Sequence, residues 1–125
     1  MKIGFTLIEL IMTIVILGVL AATALPRFID MQKGAKISAL KANLGAMRSV
    51  IAMRYASNAL RGSAAYPANS TIIRQMFSNS KIPSDMFTTT TAATQIRTAR
   101  NGGGGWVYTS ATGRVYVNLN AYSMY

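Results

Sequence analysis

The chain has 125 residues, with 13 Lys+Arg against 3 Asp+Glu and neither His nor Cys. Its length allows one domain, and the missing Cys and His exclude disulfides, thiolate metal sites and the commonest general base. Because Glu9, Asp30 and Asp85 are the only acidic side chains, no acid–base pair can be assembled, so we predict no catalytic residue, no metal and no cofactor.

The first element of the chain is a long apolar segment. Between Phe5 and Leu25 the only charged residue is Glu9, and the segment is long enough to cross a bilayer as a helix. An ordinary secretory signal would end in a small-residue cleavage site followed by a polar mature start, which is missing here. A lone carboxylate deep in a membrane costs about 2.5–3.5 kcal/mol, so we expect Glu9 to have a partner.

The start of this segment resembles a processing signal. Gly4–Leu10, with the sequence GFTLIEL, follows a short basic leader and resembles the class III signal of type IV pilins and type II secretion pseudopilins. The resemblance implies that a prepilin peptidase cuts after Gly4 on the cytoplasmic side and that Phe5 becomes the N-methylated first residue. It also implies that Glu9 meets the N-terminal amine of a neighbouring subunit. The stretch Leu25–Gln32 looks most like the mannose-sensitive haemagglutinin branch of type IV pilins.

The apolar segment continues into an amphipathic helix. Pro26 stands where such pilins carry a helix-kinking proline, and it predicts a bend or a melted stretch around Ala22–Pro26, because proline removes one helical hydrogen bond. Beyond it, apolar residues recur at spacings of three and four and form one stripe: Ile37, Leu40, Leu44, Met47 and Ile51. Basic residues, which we interpret as solvated, occupy the opposite surface: Lys33, Lys36, Lys41, Arg48 and Arg54. A helix from about Phe5 to Leu60 is predicted, with Gly62 just past its end.

A long connection follows the helix. Residues Gly62–Gly105 correspond to the segment called the αβ loop in this family. Within it, local signals predict a short helix capped by Ser70, a turn at Lys81–Asp85, an exposed loop at 88–94 and a flexible joint at 101–105.

Two β-rich runs end the chain, Trp106–Thr109 and Arg114–Leu119, with Ser110–Gly113 between them. The alternation within the runs predicts a β-hairpin. One face of this hairpin is expected to fill the core: Trp106, Tyr108, Val115, Val117 and Leu119.

Together these elements predict an α+β fold, in which a long N-terminal helix packs by its second half on a small antiparallel β-sheet. We divide the chain into a leader (1–4), a membrane-spanning and polymerising half of the helix (5–25), an amphipathic half (26–60) and a globular head with the αβ loop and the terminal hairpin (61–125).

The resemblance implies a structural subunit of a helical filament that assembles through Phe5, Glu9 and Pro26. Its expected partners are further copies of the chain, a prepilin peptidase and an inner-membrane assembly platform. The subunit would span the inner membrane once before assembly and then enter a periplasmic or extracellular filament. Pilus and secretion pseudopilus, major and minor subunit, and roles in adhesion or motility stay open.

The formal charge of +10 suggests a second function, because such an excess attracts nucleic acid, anionic lipid or acidic polysaccharide. In a DNA-binding pilin of an uptake system, the candidate phosphate contacts are Arg97, Arg100 and Arg114, near the aromatic residues Trp106, Tyr108 and Tyr116. Acidic polysaccharide is an alternative partner.

Two further hypotheses stay open. Electrons could pass along aromatic residues such as Phe5, Phe28 and Tyr55 in a filament. Outside the filament family, the chain could be a single-pass membrane protein with a small basic domain, which would keep Met1 or be cut by signal peptidase.

Overall fold

The computed structural model describes residues 4–68 and 70–125, with only the backbone described for residues 70–72. The chain forms a long helix and a small three-stranded sheet, which confirms the α+β class. The elements are α1 (Leu7–Leu60), α2 (Ser70–Gln75), β1 (Ile96–Arg97), β2 (Trp106–Thr109) and β3 (Arg114–Val117). The chain divides into two compact units, Met1–Ala35 and Lys36–Tyr125. The leader residues 1–3 and the predicted capping side chain of Ser70 lie outside the described residues.

The first unit presents apolar side chains to its surroundings on every side. Sixteen large hydrophobic residues between Phe5 and Met31 are exposed, among them Phe5 at 86% and Leu17 at 64%. An 18-residue window of α1 has a mean hydropathy of 2.4 and contains no buried residue, so this helix is long and apolar enough to cross a membrane. A surface this apolar needs lipid or other protein helices around it.

The prediction of a melted stretch around Ala22–Pro26 is wrong, because α1 is helical through Pro26. Proline interrupts only one hydrogen bond of the helical ladder, and the flanking apolar residues favour helix on both sides. A bend at this position stays a prediction.

The end of α1 follows the prediction closely. Gly62 has φ +85°, a left-handed conformation that glycine adopts without strain. Its amide donates to the carbonyl of Ala59, and the amide of Ser63 donates to the carbonyl of Asn58, each at 3.0 Å. This pair of bonds is a Schellman motif, which satisfies carbonyls that the end of a helix otherwise leaves without partners.

The core of the second unit lies between α1 and the inner face of the sheet. Four of the five predicted stripe residues of α1 are buried, Ile37 is half-buried, and Val50 joins them. The hairpin contributes the predicted face, of which Leu119 is only partly buried. The residues at the centre of this core are Leu40, Leu44, Met47, Ile51, Trp106, Tyr108, Val115 and Val117. The spacing of apolar residues, with a period of about 3.6 on the helix and 2 on the strands, therefore predicted these core positions correctly.

The sheet is mixed, which corrects the antiparallel sheet that we predicted. β2 and β3 form the predicted antiparallel hairpin, with Trp106 opposite Val117 and Thr109 opposite Arg114. β1 was missed, and it pairs in parallel with β2, with Ile96 opposite Trp106. A strand of two residues has no readable alternation, so only its pairing with β2 reveals it.

Side-chain donors from the regular elements hold the αβ loop in place. The indole N–H of Trp106 donates to the carbonyl of Pro83 at 2.7 Å, and the hydroxyl of Tyr108 donates to the carbonyl of Pro67 at 2.8 Å. From α1, the amide groups of Asn43 and Asn58 donate to the carbonyls of Ser84 and Ala65. A loop without a backbone ladder still needs partners for its carbonyls, and these four donors supply them.

Asp85 organises the loop from within, a role that sequence reasoning missed. Its side chain is completely buried, and each carboxylate oxygen accepts two hydrogen bonds. Oδ1 accepts from the amides of Phe87 and Thr88, at 3.0 and 2.8 Å. Oδ2 accepts from the hydroxyl of Thr88 at 2.7 Å and from the amide of Gly105 at 2.6 Å. Four donors compensate for the removal of this carboxylate from water.

Asn118 has the corresponding role at the end of the hairpin. This buried amide donates to the side chain of Asn101 and to the carbonyl of Gly104, and its oxygen accepts from the amides of Asn101 and Gly102. All four hydrogen-bonding positions of the side chain are therefore filled.

The glycine run is held by hydrogen bonds to Asp85 and Asn118, and its second half is buried, which corrects the flexible joint predicted at 101–105. Gly104 and Gly105 are buried with φ of +92° and +79°. A side chain at Gly104 would collide with Thr88, and one at Gly105 would collide with the carbonyl of Ala92. Glycine is required here for close approach and for a left-handed backbone.

Two other loop predictions need correction. Residues 91–94 form a 3₁₀ helix capped by Thr90, and Ala93 is buried, which corrects part of the exposed loop predicted at 88–94; residues 89–91 and 94 are exposed as predicted. The turn predicted at Lys81–Asp85 is not found there. The backbone instead adopts left-handed conformations just before and just after this stretch, at Ser80 (φ 51°) and Met86 (φ 64°). The backbone N–H of Asp85 donates to the carbonyl of Ala93 at 3.1 Å and thereby joins these two parts of the loop.

Burial raises the pKa of the Tyr108 phenol, and the nearby Tyr66 raises it further. A raised folded-state pKa means that Tyr108 stabilises the fold fully below about pH 10, the unfolded pKa, and loses this contribution as the pH rises through the folded pKa.

We expect Tyr108→Phe to be less stable than the wild type at pH 8 by about 0.5–1.5 kcal/mol, the net value of one hydrogen bond. This deficit should shrink above pH 10. Thermal unfolding followed by the fluorescence of Trp106, the single tryptophan, measures it; a constant deficit would contradict the assignment.

Candidate functional site

The first candidate site is the start of α1, where the side chains of Thr6 and Glu9 each accept a hydrogen bond from the backbone N–H of the other residue. The Glu9 carboxylate accepts from the Thr6 amide at 3.2 Å and from the Thr6 hydroxyl at 2.9 Å. In return, the Thr6 hydroxyl accepts from the Glu9 amide at 3.3 Å. This reciprocal arrangement is a capping box, which pairs two amide groups that a helix start leaves free.

The capping box gives Glu9 neutral partners but no opposite charge, since all three hydrogen bonds are to Thr6. Glu9 is also exposed in the isolated chain. Glu9 is therefore a negative charge at the start of α1, among exposed apolar side chains. If these side chains become buried in an assembly, the Glu9 carboxylate is buried with them. Phe5, the predicted first residue of the processed chain, lies one residue before the cap and is exposed.

The second candidate site comprises the three arginines of the nucleic-acid hypothesis, and each has a different setting in the structure. Arg97, on β1, donates to the side chain of Gln95 at 2.8 Å. Arg100 donates to the carbonyls of Val117 and Ser123, at 3.4 Å each. Arg114 begins β3, at the opposite end of that strand from Val117.

The aromatic residues proposed beside these arginines also differ from expectation. Trp106 and Tyr108 are buried in the core, as their alternation predicted, so their rings cannot stack on a base. Tyr116 is half-buried and lines a cleft of about 310 Å³ with Arg114, Val115, Gly113 and Arg48 of α1. Arg48 was interpreted as part of a solvated surface, and only the fold brings it beside Arg114.

Comparison with known proteins identifies the N-terminal region. The family model of the prokaryotic N-terminal methylation motif matches residues 2–25. This chain carries that motif. Over part of its length it is also similar to two type IV pilins. It is 48% identical over 50 residues to the type IV narrow pilus major component PilA5 of Thermus thermophilus, a match that covers 40% of this chain and 43% of the relative. It is 52% identical over 44 residues to the type IV major pilin protein PilA of Myxococcus xanthus, covering 35% and 20%.

The chain thus spans less than half the length of the curated relatives that it matches. No solved structure matches it significantly. The methylation motif contains Gly4, Phe5 and Glu9, which the class III resemblance singled out, and Thr6, which it did not assign a role. The Thr6 cap could have been found from sequence, because Thr-x-x-Glu before an apolar run is a capping-box signal.

Proposed function

We propose that this chain is a structural subunit of a type IV pilus-like filament, delivered through the inner membrane and assembled by its N-terminal helix. The observation that carries the proposal is the methylation motif at residues 2–25, together with the exposure of apolar side chains on every side of the first half of α1. Such a surface first needs lipid and then other copies of the same helix, as a filament core provides. The homology to pilus components of Thermus and Myxococcus supports the same assignment.

We propose that a prepilin peptidase cuts between Gly4 and Phe5 and that the new amine is methylated. Removing the first four residues also removes Lys2, so the mature chain would have 12 Lys+Arg against 3 Asp+Glu. Intact-mass measurement on membrane and filament fractions should show the loss of four residues and the gain of one methyl group. Assembled material that retains Met1 would contradict the proposal and favour a plain membrane anchor.

A matched pair of glycine variants tests whether Gly4 is recognised by the peptidase. Apart from adjacent residues and the backbone of α1 itself, no described atom lies within 4 Å of the place that a Cβ would take at Gly4 or Gly18. Gly4→Leu should therefore accumulate as unprocessed precursor while remaining in the membrane. Gly18→Ala should be processed normally. Equal processing of the two variants would show that Gly4 is not the cleavage residue.

Assembly, in this proposal, brings the Phe5 amine of one subunit to Glu9 of the next. In a water-excluded filament core the Coulomb attraction between the two groups is much stronger than in water, and pairing offsets the desolvation cost of each. Cleavage creates the amine four residues before Glu9 on the same chain, so an intrachain pair is the alternative. The capping box leaves the carboxylate exposed at the start of α1, where either pair can form, and the resemblance to the class III signal favours the intersubunit pair.

Secretion pseudopilus and surface pilus are both compatible with this chemistry. Shear-released filaments should contain the processed subunit if it builds a surface pilus. An assembly platform in the inner membrane is the remaining partner that the proposal requires.

A further inference from the structure

The charged side chains at the surface of the second unit are all positive. Between Lys36 and Tyr125 the chain has ten Lys and Arg residues and a single acidic residue, Asp85. Asp85 is buried, and its carboxylate is fully occupied by backbone amides and the Thr88 hydroxyl. No acidic side chain of this unit is therefore left at the surface to pair with these cations. Such a field attracts polyanions and raises their local concentration.

Two of these cations converge on one cleft. Arg48 comes from the exposed side of α1 and Arg114 from the start of β3, and both are exposed. They line the cleft of about 310 Å³ with Tyr116. The cleft lies along β3, which has β2 as its only neighbour in the described sheet. Gly113, with φ +67°, precedes Arg114, and a side chain there would collide with the ring of Tyr66.

We propose that this cleft binds one nucleotide unit of a single-stranded nucleic acid. Arg48 and Arg114 contact the phosphate from two sides, since the planar guanidinium matches phosphate geometry. The ring of Tyr116 stacks on the base. This site shares Arg114 with the three arginines that the sequence suggested, and it replaces the other two with Arg48.

The dimensions and the ring select this ligand among polyanions. The cleft is at the lower end of the range of small-ligand sites, about 300–1,000 Å³, which suits one unit of a polymer rather than a double helix. A ring can stack on a base only when the base is unpaired and splayed out, as in a single strand. An acidic polysaccharide would engage the arginines, but it has no planar base for Tyr116.

The experiment uses the full chain in nonionic detergent, so that it does not depend on filament assembly. Fluorescence anisotropy of a labelled 12-mer of deoxythymidylate reports binding at several salt concentrations. Arg48→Gln and Arg114→Gln are compared with Arg61→Gln, which removes the same charge at an exposed position outside the cleft. Tyr116→Leu removes the ring and Tyr116→Phe retains it. Trp106 fluorescence verifies that each variant is folded.

We expect Arg48→Gln and Arg114→Gln each to weaken binding more than Arg61→Gln does. Each should also make the slope of log K against log[salt] shallower by about 0.7, the value for one single-strand phosphate contact. Tyr116→Leu should weaken binding about 5- to 150-fold, the range for loss of one stacked base, while Tyr116→Phe should bind as the wild type does. A duplex of the same length should bind more weakly than the single strand.

Equal losses for the three arginine variants would overturn the site and leave only diffuse attraction. Equal behaviour of Tyr116→Leu and Tyr116→Phe would overturn base stacking. A polyuronate that depends on Arg48, Arg114 and Tyr116, with no binding of the 12-mer, would assign the cleft to polysaccharide instead. None of these outcomes bears on filament assembly, which is measured separately as shear-released filaments.

Discussion

Replacing Glu9 by alanine is expected to reduce the yield of sheared filaments at least about tenfold at equal subunit expression. Without the carboxylate, the Phe5 amine of the neighbouring subunit would be buried unpaired, at a cost of about 3–5 kcal/mol for each contact. Membrane insertion and folding of the second unit should persist, because the side-chain hydrogen bonds of Glu9 within the described residues are to Thr6. Processing should also remain largely intact. Quantifying the subunit in sheared and membrane fractions measures the effect.

Two variants separate the charge of Glu9 from its role in the capping box. Glu9→Gln keeps the shape and much of the cap but removes the charge, so it should be almost as defective as Glu9→Ala. Thr6→Val removes the capping hydroxyl and keeps the charge, so it should cost about 0.5–2 kcal/mol of helix stability and leave most filaments intact. Wild-type filament levels from Glu9→Ala cells would show that apolar packing alone assembles the filament.

Replacing Asp85 by alanine is expected to destabilise the second unit by about 3–5 kcal/mol, one of the largest effects available to a single substitution. The change would leave the amides of Phe87, Thr88 and Gly105 without their acceptor, and each buried donor left unpaired costs about 1–3 kcal/mol. The single tryptophan, Trp106, is fully buried in this unit, so its fluorescence reports the unfolding of this unit.

Asp85→Asn and Asp30→Asn serve as the matched comparison. In Asp85→Asn the volume is unchanged, but the new amide places a donor where the carboxylate accepted hydrogen bonds, so this variant should also unfold early. Asp30 is exposed on α1, and its replacement should leave the Trp106 transition unchanged. If Asp85→Asn were as stable as the wild type, volume rather than the acceptor network would hold the loop.

Much of the fold follows from local patterns in the sequence. The stripe from Leu40 to Ile51, the stop at Gly62 and the alternation within Trp106–Thr109 are regular and short-range, and each appears in the structure as predicted. The processing motif is similarly readable, because it lies in one contiguous stretch that a family model also matches.

The periodic elements and the N-terminal motif can therefore be read from the amino-acid order, because neighbours in the chain carry the information. The role of Asp85, the burial of Gly104 and Gly105, and the parallel pairing of β1 become apparent only in the folded molecule. The fold also places Arg48 beside Arg114 and makes Trp106 inaccessible. The physical reason is the same in each case. A buried carboxylate, a glycine without room for a side chain and a two-residue strand are specified by partners distant in the chain, and these partners become adjacent only when the core forms.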